Sequence, residues 1–406
     1  MPPPDFDIII LGATGYTGTI TAEHITSNFP STFSWAIAGR SLSRLHKLSA
    51  HLQTIRSDRS PPTILQSSLD REDLHALVKR TKVVMNVVGP YNRYSEPVLE
   101  ACASEGTHYV DFSTETPWIA SMIPRYHEMA KKSGAIMIPA ASNSSSPPDL
   151  LAWLIASKIR ETTGRGTKEI VASGQLNMAG MGGGSAHTVL DVVQRYGIGW
   201  MWKPDPFCMV PRPQRPATPY RSPIGYQKHE DLGILTTNLP GISNMAIVNR
   251  SAALHPEIYG ADFTYTELAP APNAPVAIFT HMLLKLVILL LAFPPFRFLV
   301  RSLSYEPGSG PAWHEMGKKE SVMIDAVGVS EDGKTKAKGR FAWKGAVAHV
   351  SAILVAEAAG VLVGWREKGE GERAGGGMVT PSKLGEELVE RLRGAGCLFE
   401  VEVLGD

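Results

Sequence analysis

The 406-residue sequence has few cysteines and almost no net charge. Its three cysteines, Cys102, Cys208 and Cys397, lie far apart and form no metal-binding or redox motif, which favours a reducing compartment. A formal net charge of +1 without a basic helix argues against a nucleic-acid partner bound through its phosphates. The sequence also lacks an HExxH motif, a Cys/His cluster and a GxSxG turn, so we expect no metal site and none of the corresponding hydrolase chemistry.

The N-terminal residues lack the basic start and the apolar core of a signal peptide, so we expect a protein on the cytoplasmic side that is not secreted. Residues 281–300 are rich in leucine, but Lys285 interrupts them and Pro294-Pro295 ends the run before the roughly 20 residues that a membrane span needs. The segment predicts a hydrophobic helix packed into its domain or a homodimer interface. The alternative is a helix lying on the surface of a membrane or a lipid droplet, with Arg297 and Arg301 at the headgroups.

What the sequence does contain, close to its start, is an apolar strand that runs into a glycine-rich turn. In its GxxGxxG spacing, Gly12 permits a tight turn, Gly15 lets the backbone approach a pyrophosphate, and Gly18 lets the next helix pack closely on the sheet. The pattern predicts a dinucleotide at the N-terminus of that helix. The expected contacts are Gly12, Ala13, Thr14, Gly15, Tyr16, Thr17 and Gly18.

The end of the second strand indicates which dinucleotide binds. Residues 34–39 read as a buried strand, and enzymes that use NAD carry an acidic residue where this strand ends. This sequence has Arg40 there, followed by Ser41 and Arg44. A guanidinium pairs well with a 2′-phosphate, so the sequence favours NADP(H) over NAD(H).

Alternating apolar strands and helices over residues 1–150 predict an α/β fold: an N-terminal doubly wound parallel sheet, the Rossmann fold. A second α+β domain is expected over 151–345, and residues 346–406 are expected to form C-terminal helices and a last strand that packs back on the core. Within the second domain, the pattern predicts antiparallel strands over 168–176, 245–249 and 261–268. Asp149 is expected to cap a helix over 150–160.

Two further segments carry candidate site residues. Gly89, Pro90 and Tyr91 follow a buried strand at the edge where such sheets bind ligands, so we expect them to contact the cofactor. Tyr91 is either a proton donor or an aromatic packed as a lid. Three glycines precede His187 at the start of a helix, and His187 is either a general acid or a structural residue.

These motifs together resemble those of the saccharopine dehydrogenase-like oxidoreductases, a family that includes the trans-acting enoyl reductases. The resemblance extends over nearly the whole chain, although its later motifs are short. The segments that carry it are the N-terminal glycine turn, the Gly-Pro-Tyr turn at 89–91, residues 106–111, the Pro-Asp-Leu at 148–150, Tyr259-Gly260, residues 308–311 and residues 376–381. Residues 141–150 depart from the family pattern, since a serine-rich stretch stands where the family commonly has Gly-Phe-Asp-Ser.

The resemblance implies a nicotinamide-dependent oxidoreductase; related proteins are associated with lipid droplets or membranes and with glycolipid biosynthesis. We therefore expect an NADP(H)-dependent reductase acting on a hydrophobic carbonyl or enoyl group of a small, lipid-linked or carrier-linked substrate. A hydroxyl, a histidine or an ordered water would supply the proton. A non-catalytic NADP(H)-binding sensor and a lipid-surface scaffold are the alternative hypotheses.

Overall fold

A computed structural model describes residues 4–180, 182–217, 222–317, 319–369 and 375–404. The described chain forms two seven-stranded sheets. The strands are β1 (Phe6–Leu11), β2 (Trp35–Gly39), β3 (Thr63–Gln66), β4 (Thr81–Asn86), β5 (His108–Asp111), β6 (Ile136–Ile138), β7 (Thr167–Asn177), β8 (Gln227–His229), β9 (Gly233–Thr237), β10 (Thr264–Pro270), β11 (Ser321–Ser330), β12 (Lys336–Lys344), β13 (Gly377–Met378) and β14 (Leu398–Leu404).

Helices cover the first sheet and fill the space between the two sheets. They are α1 (Tyr16–Asn28), α2 (Leu42–Ile55), α3 (Arg71–Val78), α4 (Tyr91–Tyr94), α5 (Glu96–Glu105), α6 (Thr116–Ser133), α7 (Ser146–Thr163), α8 (Gly183–Tyr196), α9 (Gly199–Trp202), α10 (Gly241–Leu254), α11 (Pro256–Tyr259), α12 (Ala274–Leu290), α13 (Pro294–Ser302), α14 (Trp313–Met316), α15 (Val347–Glu367) and α16 (Gly385–Gly394). Residues Arg212–Gln214 and Pro381–Leu384 form short 3₁₀ turns.

The first sheet has the strand order β13-β6-β5-β4-β1-β2-β3, and all of its strands are parallel. Its central strand β1 is buried on both faces, because Ile8, Ile9 and Ile10 are fully enclosed. Continuous apolar runs of this kind suit a parallel strand that is covered by helices on both sides. The sheet confirms the predicted doubly wound Rossmann fold. Because its strands are parallel, their carboxyl ends all lie at the same edge of the sheet.

The second sheet is mixed, with the order β14-β12-β11-β7-β10-β9-β8. Helix α7 packs on β11 and β12, where Gly328 and Gly339 leave room for Ile155 of the helix. Helix α15 packs on α1, β4 and β5 of the first sheet, and one apolar core runs through both sheets and these helices. The C-terminal part of the chain contributes to both sheets, because β13 pairs with β6 and β14 pairs with β12.

Three expectations for the second domain were wrong. Residues 245–249 lie inside helix α10 rather than in a strand, and β7 and β10 pair in parallel rather than antiparallel. A short apolar run does not distinguish a buried strand from a buried helix, and residues 245–249 are all buried.

Asp149 does not cap a helix at residue 150, because α7 already begins at Ser146. Its buried carboxylate instead accepts hydrogen bonds from Ser251 Oγ and from the backbone N of Ser382, at 2.7 Å for the latter.

The leucine-rich segment forms two helices rather than one. Helices α12 and α13 meet at an angle of 102° at the break before Pro294, so the segment does not run straight through residues 281–300. Helix α15 is the one described helix that is long and apolar enough to cross a membrane by itself, and 67% of its apolar window is buried inside the protein. Since α15 packs on the first sheet, its apolar composition is that of a core helix.

The start of α1 packs so closely on the turn after β1 that only a glycine fits at residue 18. A Cβ on Gly18 would lie 2.6 Å from the Gly12 carbonyl oxygen and 2.8 Å from that of Ala13. Both contacts are with backbone, which cannot move aside without displacing the turn.

We expect Gly18→Ala to lower the free energy of unfolding by about 1–3 kcal/mol, the usual range for an overpacked site. Urea unfolding followed by circular dichroism measures this change. Gly394→Ala is the matched control, because Gly394 is a helical glycine whose Cβ would meet nothing within 4 Å. Equal urea midpoints for wild type and Gly18→Ala would contradict the packing argument.

Candidate functional site

A cavity of about 560 Å³ lies where the strands of the first sheet end, and the second sheet closes it from the opposite side. Its wall on the first sheet comes from the turns after β1, β2 and β4. Its other wall comes from β7, β10 and β11 and from the N-terminal turns of α8, α10 and α15. Ligands of doubly wound sheets bind at this edge, so the cavity is the candidate active site.

The glycine turn forms the part of the cavity that fits a pyrophosphate. Gly12 has a φ of +88°, and a Cβ there would lie 2.9 Å from Val88 Cγ2. Gly15 precedes the first residue of α1, so the free amides of this helix start beside it. Five residues of the predicted set line the cavity, namely Gly12, Thr14, Gly15, Tyr16 and Thr17. Ala13 and Gly18 are buried beneath the turn and support its shape.

The rim of the cavity beside β2 carries positive charge. Arg40, Ser41 and Arg44 all line the cavity, and both arginine side chains are exposed. Ser41 caps α2 by accepting a hydrogen bond from the backbone N of Arg44 at 3.4 Å. These residues fit the 2′-phosphate of NADP(H), since two guanidinium groups stand where an NAD site has a carboxylate.

Gly89, Pro90 and Tyr91 line the cavity at the end of β4. The buried Glu115 holds this turn, because its carboxylate accepts hydrogen bonds from the backbone N of Tyr91 and of Asn92, each at 2.7 Å. Burial raises the pKa of Glu115 to about 7. A fixed turn of this kind forms a wall beside the reacting end of a dinucleotide.

The two residues proposed as proton donors occupy different surroundings. The Tyr91 hydroxyl points into the protein, 3.4 Å from the carbonyl oxygen of Asn86, and burial raises its pKa well above the usual value. This geometry favours packing over acid catalysis. His187 lines the cavity from the first turn of α8 and is half-buried. A donor role for either residue remains a prediction.

Tyr16 has a partner that its place in the glycine turn did not suggest. Its hydroxyl donates to the carbonyl oxygen of Pro311 at 3.0 Å, and a Cβ on Gly310 would lie 2.8 Å from its ring. The backbone N of Gly183 donates to the Ser309 carbonyl at 3.0 Å, so this amide of the glycine triplet is already used. Residues 307–311 therefore connect the glycine turn to the start of α8.

Sequence reasoning missed the polar group on the second-sheet wall. Glu267 of β10 lines the cavity together with Asn238, Asn244 and Gly174, and it is only 3% exposed. Its carboxylate accepts hydrogen bonds from Asn238 Nδ2 at 2.9 Å and from Asn244 Nδ2 at 2.8 Å. Burial raises the pKa of Glu267 to about 7, although its hydrogen bonds with Asn244 and Tyr265 oppose the rise. The available signal was the one charged residue of a strand that otherwise contains threonines and apolar or aromatic residues.

Helix α10 brings this polar group to the end of the first sheet. Ser243 in its first turn accepts a hydrogen bond from the Thr116 hydroxyl at 2.7 Å, and its own hydroxyl lies 3.4 Å from the carbonyl oxygen of Thr114. Asn244 is the next residue along the helix. The side chains around Glu267 therefore lie beside the loop that follows β5.

Comparison with known proteins agrees with this geometry. The family model of the saccharopine dehydrogenase NADP-binding domain matches residues 8–138. A trans-acting enoyl reductase of Mycobacterium leprae is 31% identical over 67% of this chain and 68% of its own length. One from Mycobacterium tuberculosis is 29% identical over 97% of each chain. Apo saccharopine dehydrogenase from Saccharomyces cerevisiae has the same fold, with a TM-score of 0.51 and 12% identity over 98% of this chain and all of that one.

The matched NADP-binding domain contains the glycine turn, Arg40 and the Gly-Pro-Tyr turn, which confirms NADP(H) as the favoured cofactor. The enoyl reductase relatives align over the second sheet as well. The chain belongs to the saccharopine dehydrogenase-like oxidoreductases, within the group of trans-acting enoyl reductases.

Proposed function

We propose that this protein uses NADPH to reduce the enoyl group of a hydrophobic acyl substrate that is attached to a lipid or to a carrier. A carbonyl group in the same kind of substrate is the second candidate. The observation that carries the proposal is the single cavity shared by the dinucleotide turn and the second sheet. The activity named for the enoyl reductase relatives favours the enoyl group over the carbonyl.

The cavity combines the two surfaces that such a substrate needs. Leu176, Val322 and Ile324 of the second sheet supply apolar area for an acyl chain. Asn238 adds an amide group that can orient a thioester or ester carbonyl. NADPH, when bound, supplies the hydride. The protein's own residues hold the two reactants together at the strand ends and exclude water from them.

We expect purified protein to oxidise NADPH in the presence of α,β-unsaturated acyl thioesters, with kcat/KM rising as the acyl chain lengthens. Each added methylene that enters an apolar pocket contributes about 0.8 kcal/mol. Absorbance of NADPH measures the rate, and matched β-ketoacyl thioesters test the carbonyl alternative. Tight NADPH binding without turnover on any unsaturated or keto lipid would favour the sensor hypothesis instead.

We expect Arg40→Asp to weaken NADPH binding by about 10- to 100-fold, because a charge-assisted hydrogen bond to the 2′-phosphate contributes about 1.5–3 kcal/mol. NADH binding should weaken much less, so the preference between the two dinucleotides should shrink or reverse. Fluorescence titration with both dinucleotides measures the change. Lys47→Asp, an equal charge change on the exposed side of α2, is the control. An Arg40→Asp variant that keeps the preference for NADPH would contradict the role of Arg40.

We also propose that α12 and α13 rest on the surface of a lipid bilayer. Eleven large apolar side chains on and just after these helices are exposed and form what we call the apolar face, namely Val276, Phe279, Met282, Leu283, Leu286, Val287, Leu289, Phe293, Phe298, Leu299 and Leu303. Phe298 is 73% exposed and Leu303 is 81% exposed, which is unusual for side chains of this size.

The charges around the apolar face support a bilayer with anionic lipids as the partner. Residues 268–305 contain Lys285, Arg297 and Arg301 but neither aspartate nor glutamate, and Arg301 pairs with Asp191 of α8 at 3.3 Å. Basic residues beside an inserted apolar surface add attraction to anionic headgroups. Helix α13 packs on α8, whose first turn lines the cavity, so a bilayer beneath the apolar face would lie close to the cavity wall. A lipid-linked substrate would then have a short path into the site.

We expect the protein to float with vesicles of phosphatidylcholine and phosphatidylglycerol in a density gradient, and to float less well with phosphatidylcholine alone. The triple variant Phe279→Ser, Leu286→Ser, Phe298→Ser should lose at least about tenfold in vesicle affinity, since each inserted side chain contributes about 1.5–3 kcal/mol. Ile55→Ser removes an equally apolar exposed residue from α2 and is the control. Failure to bind vesicles, together with a dimer in sedimentation that the triple variant dissociates, would assign the apolar face to a homodimer.

A further inference from the structure

The cavity contains a buried carboxyl group that none of the roles assigned so far uses. Glu267 lies on β10 and lines the cavity, and its carboxyl group extends over Gly174, two residues along β7 from its register partner Ala172. A Cβ on Gly174 would lie 2.9 Å from Glu267 Oε1 and 2.9 Å from Asn238 Nδ2. Any larger residue at 174 would therefore push into the space occupied by the carboxyl group. Because Gly174 has no side chain, the carboxyl group of Glu267 reaches the wall of the cavity.

The surroundings of Glu267 provide hydrogen bonds but no positive charge. Its contacts are the amides of Asn238 and Asn244 and the hydroxyl of Tyr265, which donates to Oε2 at 2.9 Å. Its electrostatic environment includes neither a lysine, an arginine nor a histidine among the described residues. An isolated carboxylate in such a site is costly unless it binds a proton.

One unsatisfied atom indicates how a neutral carboxyl would be held. Asn244 Oδ1 is buried, and no described residue donates a hydrogen bond to it. The oxygen and nitrogen of an amide can exchange places by rotation of the group. After that rotation, a protonated Glu267 can donate to Asn244 Oδ1, while Asn244 Nδ2 leaves the carboxyl group and takes the position that the oxygen had. The cluster thus accommodates a carboxylic acid as well as a carboxylate.

We propose that Glu267 is the catalytic acid that protonates the α-carbon of the substrate during enoyl reduction. The inference rests on the proposed function. Hydride addition forms a C–H bond at the β-carbon, the C=C π bond breaks, and its electron pair moves onto the carbonyl oxygen. The Glu267 O–H bond then breaks, a C–H bond forms at the α-carbon, and the carbonyl double bond returns. Glu267 is left as a carboxylate and regains its proton from water.

The location of Glu267 suits this role better than that of Tyr91. The Ser243 contacts with the loop after β5 keep the Glu267 cluster beside the strand ends where the reacting end of the dinucleotide binds. The Tyr91 hydroxyl is directed at the Asn86 carbonyl and has a raised pKa, so it is a weak acid. A carboxylic acid with a pKa of about 7 transfers its proton far more readily.

The pH dependence of the chemical step follows from the groups around Glu267. Tyr265 on the same strand is its titratable neighbour, and Asp149 of α7 and Tyr259 of α11 lie behind Tyr265. Strand β7 contributes Gly174, and the β9–α10 region contributes only the amides of Asn238 and Asn244. Catalysis needs the protonated form of Glu267. The single-turnover rate should therefore be highest below the pKa of Glu267, about 7, and fall as the pH rises through that value.

The test compares wild type with Glu267→Gln in single-turnover experiments with NADPH and an enoyl thioester that carries a methyl group on its α-carbon. We expect the rate of Glu267→Gln to fall by about 100-fold or more, the usual contribution of a positioned acid, and its pH profile to become flat. NADPH affinity should stay within about twofold of wild type, because Glu267 acts on the substrate. Glu169→Gln removes an exposed carboxylate from β7 and is the control.

Three measurements separate an acid from a residue that only supports the fold. Wild type should give a single configuration at the α-carbon of the product, whereas Glu267→Gln should give a mixture, because water then delivers the proton. Infrared spectra of the protein alone at pH 6 should contain a carboxylic acid band that Glu267→Gln lacks. Glu267→Asp, which keeps an acid, should react more slowly than wild type yet retain the fall in rate at high pH.

The outcomes distinguish this assignment from the proposed function. A Glu267→Gln variant with a rate within about threefold of wild type and the same product configuration would overturn the assignment of Glu267 while the enoyl reductase function stands. A wild-type protein that binds NADPH but reduces no enoyl thioester would overturn the proposed function, and the acid assignment with it.

Discussion

The docking of the second sheet against the strand ends of the first is the constraint on which the site depends. Helix α7 is enclosed in the core that joins both sheets, and Ser243 of α10 bonds to the loop after β5. Because a parallel sheet presents its ligand site only where its strands end, the second sheet decides which side chains face the reacting end of the cofactor. In this protein Glu267 and its two asparagines are among the side chains that the second-sheet wall brings to the cavity.

Local patterns in the sequence were enough to predict the first half of the molecule. The apolar strands are buried on both faces, so each appears as a continuous run, and glycines mark the turn where the backbone must pass close to itself. The role of Arg40 could be predicted from its position alone, because the residue that ends the second strand in this fold contacts the ribose 2′ position of the dinucleotide. The same reasoning placed the Gly-Pro-Tyr turn in the cavity.

The second half could not be predicted in the same way, because its key contacts join distant parts of the chain. Asp149 accepts hydrogen bonds from Ser251 and Ser382. The place of Glu267 in the site depends on its hydrogen bonds with Asn238 and Asn244 and on the absence of a side chain at Gly174. The run at 245–249 begins with four consecutive apolar residues, so it shows no periodicity that would distinguish a helix from a strand. The bend between α12 and α13 did have a local signal, the two prolines at 294 and 295, and it leaves the apolar face turned outward.

The central claim is that hydride moves from NADPH to the β-carbon of an enoyl group inside the cavity between the sheets. The most direct measurement uses NADPH deuterated at the transferable position of its nicotinamide, followed by mass spectrometry and NMR of the acyl product. The account predicts one deuterium in the product, located at the β-carbon, together with one equivalent of NADP⁺. Saturated product without deuterium, or oxidation of NADPH without any saturated product, would contradict it.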